Sequence, residues 1–362
     1  MSRHAVIMAG GPGTRLWPMS RRGRPKQVLP FGPGGKSLLQ ASLERLVGLF
    51  DAKEVYVIAG ADQIPAIREE LPELPAENLI GEPQPRDTAN AIALACAILA
   101  EKDRAGTVAV FTADHVIEPL ERFQDAVRAA LDLIEGRPEY LGTFGIRPTR
   151  PHPGLGYIHR GEALLQASVP AFRVKAFKEK PDPATAQAYL DSGQYYWNSG
   201  MFVWKIDTIL GQLRTFLPEN TQRLMDLARS WGQSGWADRA AAVYRELKKI
   251  SIDFAVMEKT PNVLVVELPC QWADVGNWNE LSNVTGTDEA GNAVRVKKLV
   301  TLDSRGNVLV SSDDEHLIAA IGITELIVIH TPDATLVCSR DQAPRIKELV
   351  ALLDERFNGA YT

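Results

Sequence analysis

The sequence predicts an α/β protein: a Rossmann-like, mostly parallel sheet with helices on both faces, followed by a small β-rich appendage. Three observations predict it. Apolar, β-branched runs alternate with helical periodicities along the first 150 residues. A glycine-rich stretch, "GGPGTRLWPM", directly follows the first of these runs, and the C-terminal end of a strand is where open α/β sheets bind ligands. Beyond residue 285 the composition shifts to short strands separated by turn residues.

The strands are expected at "AVIMA" (5–9), "EVYVIA" (54–59), "TVAVFTA" (107–113) and "YLGTFGI" (140–146), short apolar runs of the kind a parallel sheet buries on both faces. Between them, "SLLQASLERLVGLF", "ANAIALACAILAEKD" and "RFQDAVRAALDLIEG" repeat apolar residues at three and four, the helical spacing. Repeated β–α units imply a mostly parallel sheet. From 147 the pattern loosens into strands at "FRVKAFKEKP" and "MFVWKI", a helical region from Ile206 to Leu247, and a last strand, "NVLVVEL" (262–268), which leads into "PCQWADVGNW". Residues 294–340 read as short strands punctuated by "DSRGN", "SSDDE" and "TPDAT", a short β-helix closed by the amphipathic helix "QAPRIKELVALLDERF". The expected division is a catalytic domain at 1–285 and a β-rich C-terminal domain with its closing helix at 286–362.

The 362 residues, 45% of them hydrophobic, can fill a sizeable core. The net charge of -5 and the pI near 5.8, with 40 Lys and Arg scattered along the chain, argue against a nucleic-acid partner. Cys96, Cys270 and Cys338 are far apart and show no CxxC spacing, so neither a disulfide framework nor a zinc site is suggested, and reducing cytoplasm is the expected compartment. The sequence enters its first strand without a charged-then-apolar leader, and no apolar run approaches the roughly 20 residues needed to cross a bilayer. Neither secretion nor a membrane partner is expected.

The glycine loop fails two familiar patterns. A Walker-type loop needs GK followed by Ser or Thr, and here Arg15 follows Gly13-Thr14; a dinucleotide fingerprint meets Leu16 where its last glycine belongs. What remains is a backbone-donor loop: Gly10, Gly11 and Gly13 allow main-chain N–H groups close to phosphate oxygens, Arg15 adds a planar fork, and Lys26 in "RPKQVLP" adds a second positive charge. That chemistry suits a triphosphate. The bland alternative is a turn with Arg15 and Lys26 solvated.

"IGEPQPRDTANAIALA" places turn residues ahead of a long apolar helix, with Asp87 or Thr88 as its cap. Asp114 and Asp274 each come after an apolar strand, "TVAVFTA" and "NVLVVEL", so a parallel sheet would bring both to the edge that carries the glycine loop. An Asp in such a place is commonly a cap or turn former, but two beside a phosphate loop point to Mg²⁺, which takes one or two carboxylates plus substrate phosphates. His115 is read as a structural neighbour. Glu179, Lys180 and Asn198 lie in polar islands between apolar strands, among Trp197, Met201, Phe202 and Trp204, which read as core. Polar groups in such places need partners, which a sugar phosphate would supply.

Taken together, "GGPGTRLWPMSR" with "PKQ", then "EPQPRDTANAIALA", "ADHVI", "TFGIRPTRPHPGLGYI", "FKEKPD", "YYWNSGMF", "SIDFAVMEK" and "WADVGNW", resemble in content and order the nucleotide-sugar pyrophosphorylases, most closely the mannose-1-phosphate guanylyltransferases. The resemblance spans residue 4 to the region of residue 340. It departs from the family pattern at Asp87 (usually Asn), Asn90 (usually Pro) and Leu155 (usually Tyr). It implies a nucleotidyltransferase fold and transfer of GMP from GTP to α-D-mannose 1-phosphate with Mg²⁺ as cofactor: a sugar phosphate oxygen attacks the α-phosphorus and pyrophosphate leaves. The resemblance assigns catalysis to Arg15, Lys26 and Asp114, nucleotide binding to Gly10, Gly11, Gly13, Thr14, Arg86, Asp87 and Thr88, sugar phosphate binding to Gly156, Glu179, Lys180 and Asn198, and the metal to Asp114 and Asp274.

Two rival readings stay open. One is a related enzyme for another base or hexose. The other is a catalytically silent regulatory paralogue, which would be expected to lack Arg15, Lys26 or the aspartates, all of which are present. Some relatives carry a C-terminal isomerase domain; the roughly 75 residues after "WADVGNW" are too few for one, so no isomerase activity is expected of them. Contact between two copies through the C-terminal region is a further expectation.

Overall fold

A computed structural model describes residues 2–11, 13–165 and 167–362. Pro12, within the glycine loop, lies outside the described residues. The first three expected strands form where apolar residues permit burial on both faces: β1 (Arg3–Met8), β2 (Val55–Gly60), and, after an unexpected short β3 (Leu79–Glu82), β4 (Thr107–Thr112). They pair in parallel in the order β3-β2-β1-β4. Side chains alternate between two cores, as a period of two requires. Val6, Tyr56, Ile58, Val108 and Val110 enter one core, while Ala5, Ile7, Val57, Ala109 and Phe111 enter the other.

Helices cover both faces. α1 (Leu38–Glu44) begins with a capping box, in which Ser37 Oγ accepts from Gln40 N (3.1 Å) and Gln40 Oε1 accepts from Ser37 N (3.0 Å). α1, α2 (Ile64–Glu70) and, beyond α3 (Thr88–Asp103), α4 (Leu120–Gly136) pack on the second core. α3 differs from the amphipathic expectation: Ala89 through Leu99 are all buried. The helical region expected at 206–247 explains this. It folds, after α5 (Pro183–Ser192), into α6 (Ile206–Phe216), α7 (Pro218–Ala228) and α8 (Trp236–Glu246), which supply apolar residues to the core containing α3. A helix covered all round is apolar all round.

Beyond β4 the sheet becomes mixed. β5 (His115–Glu118) leaves it, β6 (Leu141–Ile146) returns, and β7 (Tyr157–Ala163), β8 (Ala171–Lys178), β9 (Tyr195–Lys205) and β10 (Val263–Glu267) complete the order β3-β2-β1-β4-β9-β6-β10-β8-β7. β9 is antiparallel to both β4 and β6. The physical reason is the connection: no crossover helix joins β7 to β8, so the pair is antiparallel and the chain re-enters the sheet in the opposite sense. A second short strand, β11 (Gln271–Asp274), pairs antiparallel with β5 outside the main sheet.

After α9 (Leu281–Thr285), strands β12 (Ala293–Arg295), β13 (Lys298–Leu302), β14 (Val308–Ser311), β15 (Leu317–Ile321), β16 (Leu326–Thr331) and β17 (Ala334–Ser339) stack in successive coils. β12-β14-β16 and β13-β15 pair in parallel, and β17 closes the first sheet antiparallel. Two fully buried asparagines tie the coils together. Asn292 Oδ1 accepts from Asn307 N (2.9 Å), and Asn307 Oδ1 accepts from Leu326 N (2.9 Å). The closing helix α10 (Ile346–Phe357) packs beside a third core shared by Leu16, Trp17 and Met19, Trp278 and Leu281, and Val308, Ile327 and Ile346.

Candidate active site

The glycine loop follows β1, with Gly11 at φ 116° and Gly13 at φ 59°, backbone angles that a side chain rarely tolerates. Its carbonyls are held from elsewhere in the fold: Gly10 O accepts from Gln27 Nε2 (3.0 Å), Gly11 O from Gln63 Nε2 (3.3 Å) and Gly13 O from Ser20 Oγ (2.6 Å). A Cβ at Gly13 would lie 3.0 Å from Lys26 Cβ, so Lys26 packs directly under the loop. Thr14 and Arg15 then open a single 3-10 turn, and Arg15 is exposed.

Lys26 Nζ sits 2.6 Å from Asp114 Oδ2. Burial works against both charges, yet each outweighs the penalty for the other: Lys26 is held above the ordinary lysine value by Asp114 and Asp274, and Asp114 is held down to about 2 by the Lys26 ammonium. Asp274 is pushed upward, by burial first and then by the Asp114 carboxylate. The two aspartates do meet, but the expected carrier is corrected. Asp274 stands at the end of β11, opposite His115 in the β5–β11 ribbon, rather than at the end of the apolar strand β10. Both ribbon strands are four residues long, too short to signal their pairing.

Ligand atoms of Asp114, His115 and Asp274 lie within 4.8 Å of one another, and Asp274 Oδ1 is buried with no hydrogen-bond partner. An orphaned buried carboxylate oxygen beside a second carboxylate fits a hard divalent cation. His115 is a different matter. Trp272 Nε1, a donor only, points at His115 Nδ1 (3.1 Å), which assigns the proton of the neutral ring to Nε2 and leaves no lone pair there for a metal. Burial lowers the His115 pKa and keeps it neutral, so it remains a structural neighbour.

Arg15 and Asp274 line a cleft of about 540 Å³ that continues past Arg147, Arg150, Leu155 and Trp197. Gly156 and Asn198, each next in sequence to a residue that lines this cleft, belong to a second cluster. Asn198 N donates to Gly156 O (2.8 Å), and a Cβ on Gly156 would overlap Glu179 Oε2. Lys180 pairs with the Glu179 carboxylate from a backbone at φ 45°. Asn198 is fixed at both ends: Nδ2 donates to Asp253 Oδ1 (3.0 Å) and Oδ1 accepts from Gly200 N (3.1 Å). Burial, then the Glu179 charge, pushes the Asp253 carboxyl up to about 6.

Among the described residues, the side chains of the Arg86–Thr88 corner bond within their own neighbourhood. Arg86 donates to the carbonyls of Tyr244 (2.6 Å) and Arg245 (2.9 Å), Asp87 accepts from Thr88 N (2.9 Å), and Thr88 Oγ1 accepts from Ile252 N (2.9 Å), one residue before Asp253. Asn90, a departure from the family pattern, braces this corner with bonds to Arg86 O (2.6 Å) and Lys248 O (3.0 Å). Leu155, another departure, lines the cleft.

Sequence reasoning did not single out Asp253, Arg147, Arg150 or Arg45. The first three lie within or beside the quoted segments "SIDFAVMEK" and "TFGIRPTRPHPGLGYI", which were the available signal. Arg147 pairs with Glu267 (2.8 Å), and Arg150 lies over Trp197. Arg45 is buried and donates to His115 O (3.0 Å), a contact with no sequence signature.

A glycine loop with Arg15 and Lys26, and the Asp114–Asp274 carboxylate pair beside it, are the features expected of a phosphate-handling site on an α/β sheet. The chain belongs to the nucleotidyl transferase family, whose model matches residues 4–291, and the MannoseP isomerase/GMP-like beta-helix domain model matches 297–353. It is 39% identical over 361 residues to a mannose-1-phosphate guanylyltransferase of Klebsiella pneumoniae, and 38% identical over 361 residues to one of Escherichia coli. Each alignment covers 98% of this chain and 75% of the relative. Among solved structures, a protein described as a mannose-1-phosphate geranyltransferase from Thermus thermophilus superposes with a TM-score of 0.85 at 36% identity, covering 98% of this chain and all of that one.

Proposed function

We propose that this chain transfers GMP from GTP to α-D-mannose 1-phosphate, forming GDP-mannose and pyrophosphate. The observation that carries the reading is the junction of Lys26, Asp114 and Asp274 beneath the glycine loop, in a chain so similar to proteins named for this reaction. Two polyanions must be brought together, so the work is charge neutralisation and in-line placement, with no enzyme nucleophile required. Arg15 and Lys26 neutralise the departing pyrophosphate, and the loop amides of Gly10, Gly11 and Gly13 cradle it. Gly156, Glu179, Lys180 and Asn198 orient the sugar phosphate, while the Arg86–Thr88 corner flanks the nucleotide. Asp114 and Asp274 would hold Mg²⁺, which when bound supplies positive charge to the phosphates.

The same reading takes residues 1–285 as the catalytic domain and 286–362 as a β-rich domain. No helix among the described residues is long and apolar enough to cross a membrane, and Cys96, Cys270 and Cys338 are free thiols, which supports a reducing cytoplasm. Self-association through the C-terminal region has a candidate surface in the exposed Val300, Leu302, Leu317 and Ile321 of β13 and β15. Sedimentation of the parent beside Ile321→Asp tests it.

The test of function is pyrophosphate release from a panel of nucleoside triphosphates and hexose 1-phosphates with Mg²⁺. GTP with mannose 1-phosphate should give the highest kcat/KM. A better UTP or dTTP pair with glucose 1-phosphate would reassign the specificity, and no turnover with any pair would favour the regulatory reading.

A further inference from the structure

The glycine loop is not held by the sheet alone. Downstream of Arg15 the chain runs through Leu16, Trp17 and Met19, all buried in the core shared with the β-rich C-terminal module, and then through Ser20 to Arg21. Arg21 is a node. Its Nε donates to Pro18 O (2.8 Å), its Nη1 to Tyr361 O, and its Nη2 to both oxygens of Asp333 (3.0 and 3.2 Å). Trp17 Nε1 donates to the same Tyr361 carbonyl (2.7 Å), and Arg22 pairs with Asp354 (2.9 Å), which also accepts from Thr362 Oγ1 (2.9 Å). The residue before Arg21 closes the chain of contacts: buried Ser20 donates to Gly13 O (2.6 Å), in the loop that packs on Lys26.

A guanidinium whose fork serves three groups fixes position far better than a single point contact. Its grip on Asp333 and Tyr361 is more than 300 residues away in sequence, yet reaches the loop through one neighbouring hydroxyl. We propose that Arg21 is a positioning residue of the phosphate loop, through which the C-terminal module sets the placement of Arg15 and the loop amides. The inference rests on the loop being the nucleotide's phosphate site, as proposed above. Arg21 acts through Ser20 and the loop, without touching the reacting groups. Its loss should therefore weaken polyphosphate binding and spare the sugar phosphate.

The experiment compares the parent with Arg21→Lys, Ser20→Ala and Asp333→Asn, in the full chain. Asp333 is exposed, so its change leaves folding intact. Steady-state assays measure KM for GTP and for mannose 1-phosphate separately, and calorimetry measures Kd for pyrophosphate with Mg²⁺, which needs no turnover. The expected result is a rise of about tenfold in KM for GTP and in Kd for pyrophosphate, with KM for mannose 1-phosphate within about twofold of the parent. Arg21→Lys should fail to restore binding, because one ammonium cannot serve Pro18, Tyr361 and Asp333 together. Unchanged pyrophosphate affinity in all three variants, equal increases in both KM values, or full binding in Arg21→Lys would each overturn the inference. A parent that binds no pyrophosphate would also overturn it. A parent that binds pyrophosphate yet turns over no mannose 1-phosphate would instead refute the proposed reaction, while the comparison of pyrophosphate affinities still decides the role of Arg21.

Discussion

Lys26 Nζ and Asp114 Oδ2 are 2.6 Å apart, beneath the glycine loop and beside Asp274. With Asp274, the cluster sets one ammonium against two carboxylates. A second positive charge in that place therefore relieves repulsion, which is why the electrostatics favour a divalent ion rather than a third side chain.

Arg15→Ala and Lys26→Ala should each lower kcat on the order of 100- to 1,000-fold, by analogy with loss of one preorganised donor. Their stabilities should differ. Arg15 is exposed, so its loss should leave the thermal midpoint unchanged, whereas Lys26→Ala strips Asp114 of its counter-charge. Near-normal turnover in either variant would return the loop to the role of a turn.

Asp114→Asn and Asp274→Asn should both abolish Mg²⁺-dependent turnover and move stability in opposite directions. The first leaves Lys26 buried without its partner and should cost about 3 kcal/mol. The second removes a buried carboxylate that Asp114 repels, and in chelator should raise the thermal midpoint. Thermal melts with and without Mg²⁺ check both signs, and a destabilised Asp274→Asn would contradict the repulsion.

Gly156→Ala should act on the sugar phosphate alone, since its Cβ would displace the Glu179 carboxylate. The expectation is a rise of at least about tenfold in KM for mannose 1-phosphate with KM for GTP unaltered. Equal changes in both would place Gly156 outside the sugar site.

Glu82 connects pH to stability. Burial raises its carboxyl to about 7, against the partial relief of a hydrogen bond from Tyr244 Oη (3.1 Å). Because the folded pKa lies above the unfolded one, the contribution of Glu82 to stability is fully present below the unfolded value, near 4.5, and is lost as pH rises through 7. Glu82→Gln should remove that loss, on the order of 2 to 3 kcal/mol. Urea melts at pH 5 and pH 8 measure it: the parent's midpoint should fall between them by more than the variant's.

Much of this molecule was legible locally. Alternation and helical spacing located β1, β2, β4, β6 and α4 within a residue or two, because a strand or helix that buries one face or both must carry apolar residues at its own period. The glycine loop with Arg15 and Lys26 was legible because positive φ and close backbone approach demand glycine. What pairs with what was not. β3, β5 and β11 are four-residue strands whose existence depends on a neighbour rather than on their own composition, and the β5–β11 pairing is what brings Asp274 close to Asp114, the residue just before β5. The bonds of Arg45 to His115, Asp253 to Asn198 and Arg21 to Tyr361 were likewise invisible. Sequence by itself determined which segments fold and which carry charge, since those follow from local sterics and burial. Tertiary structure alone decided which charges meet, because a buried carboxylate or guanidinium is stabilised by whatever the fold sets beside it, and that partner can lie anywhere along the chain.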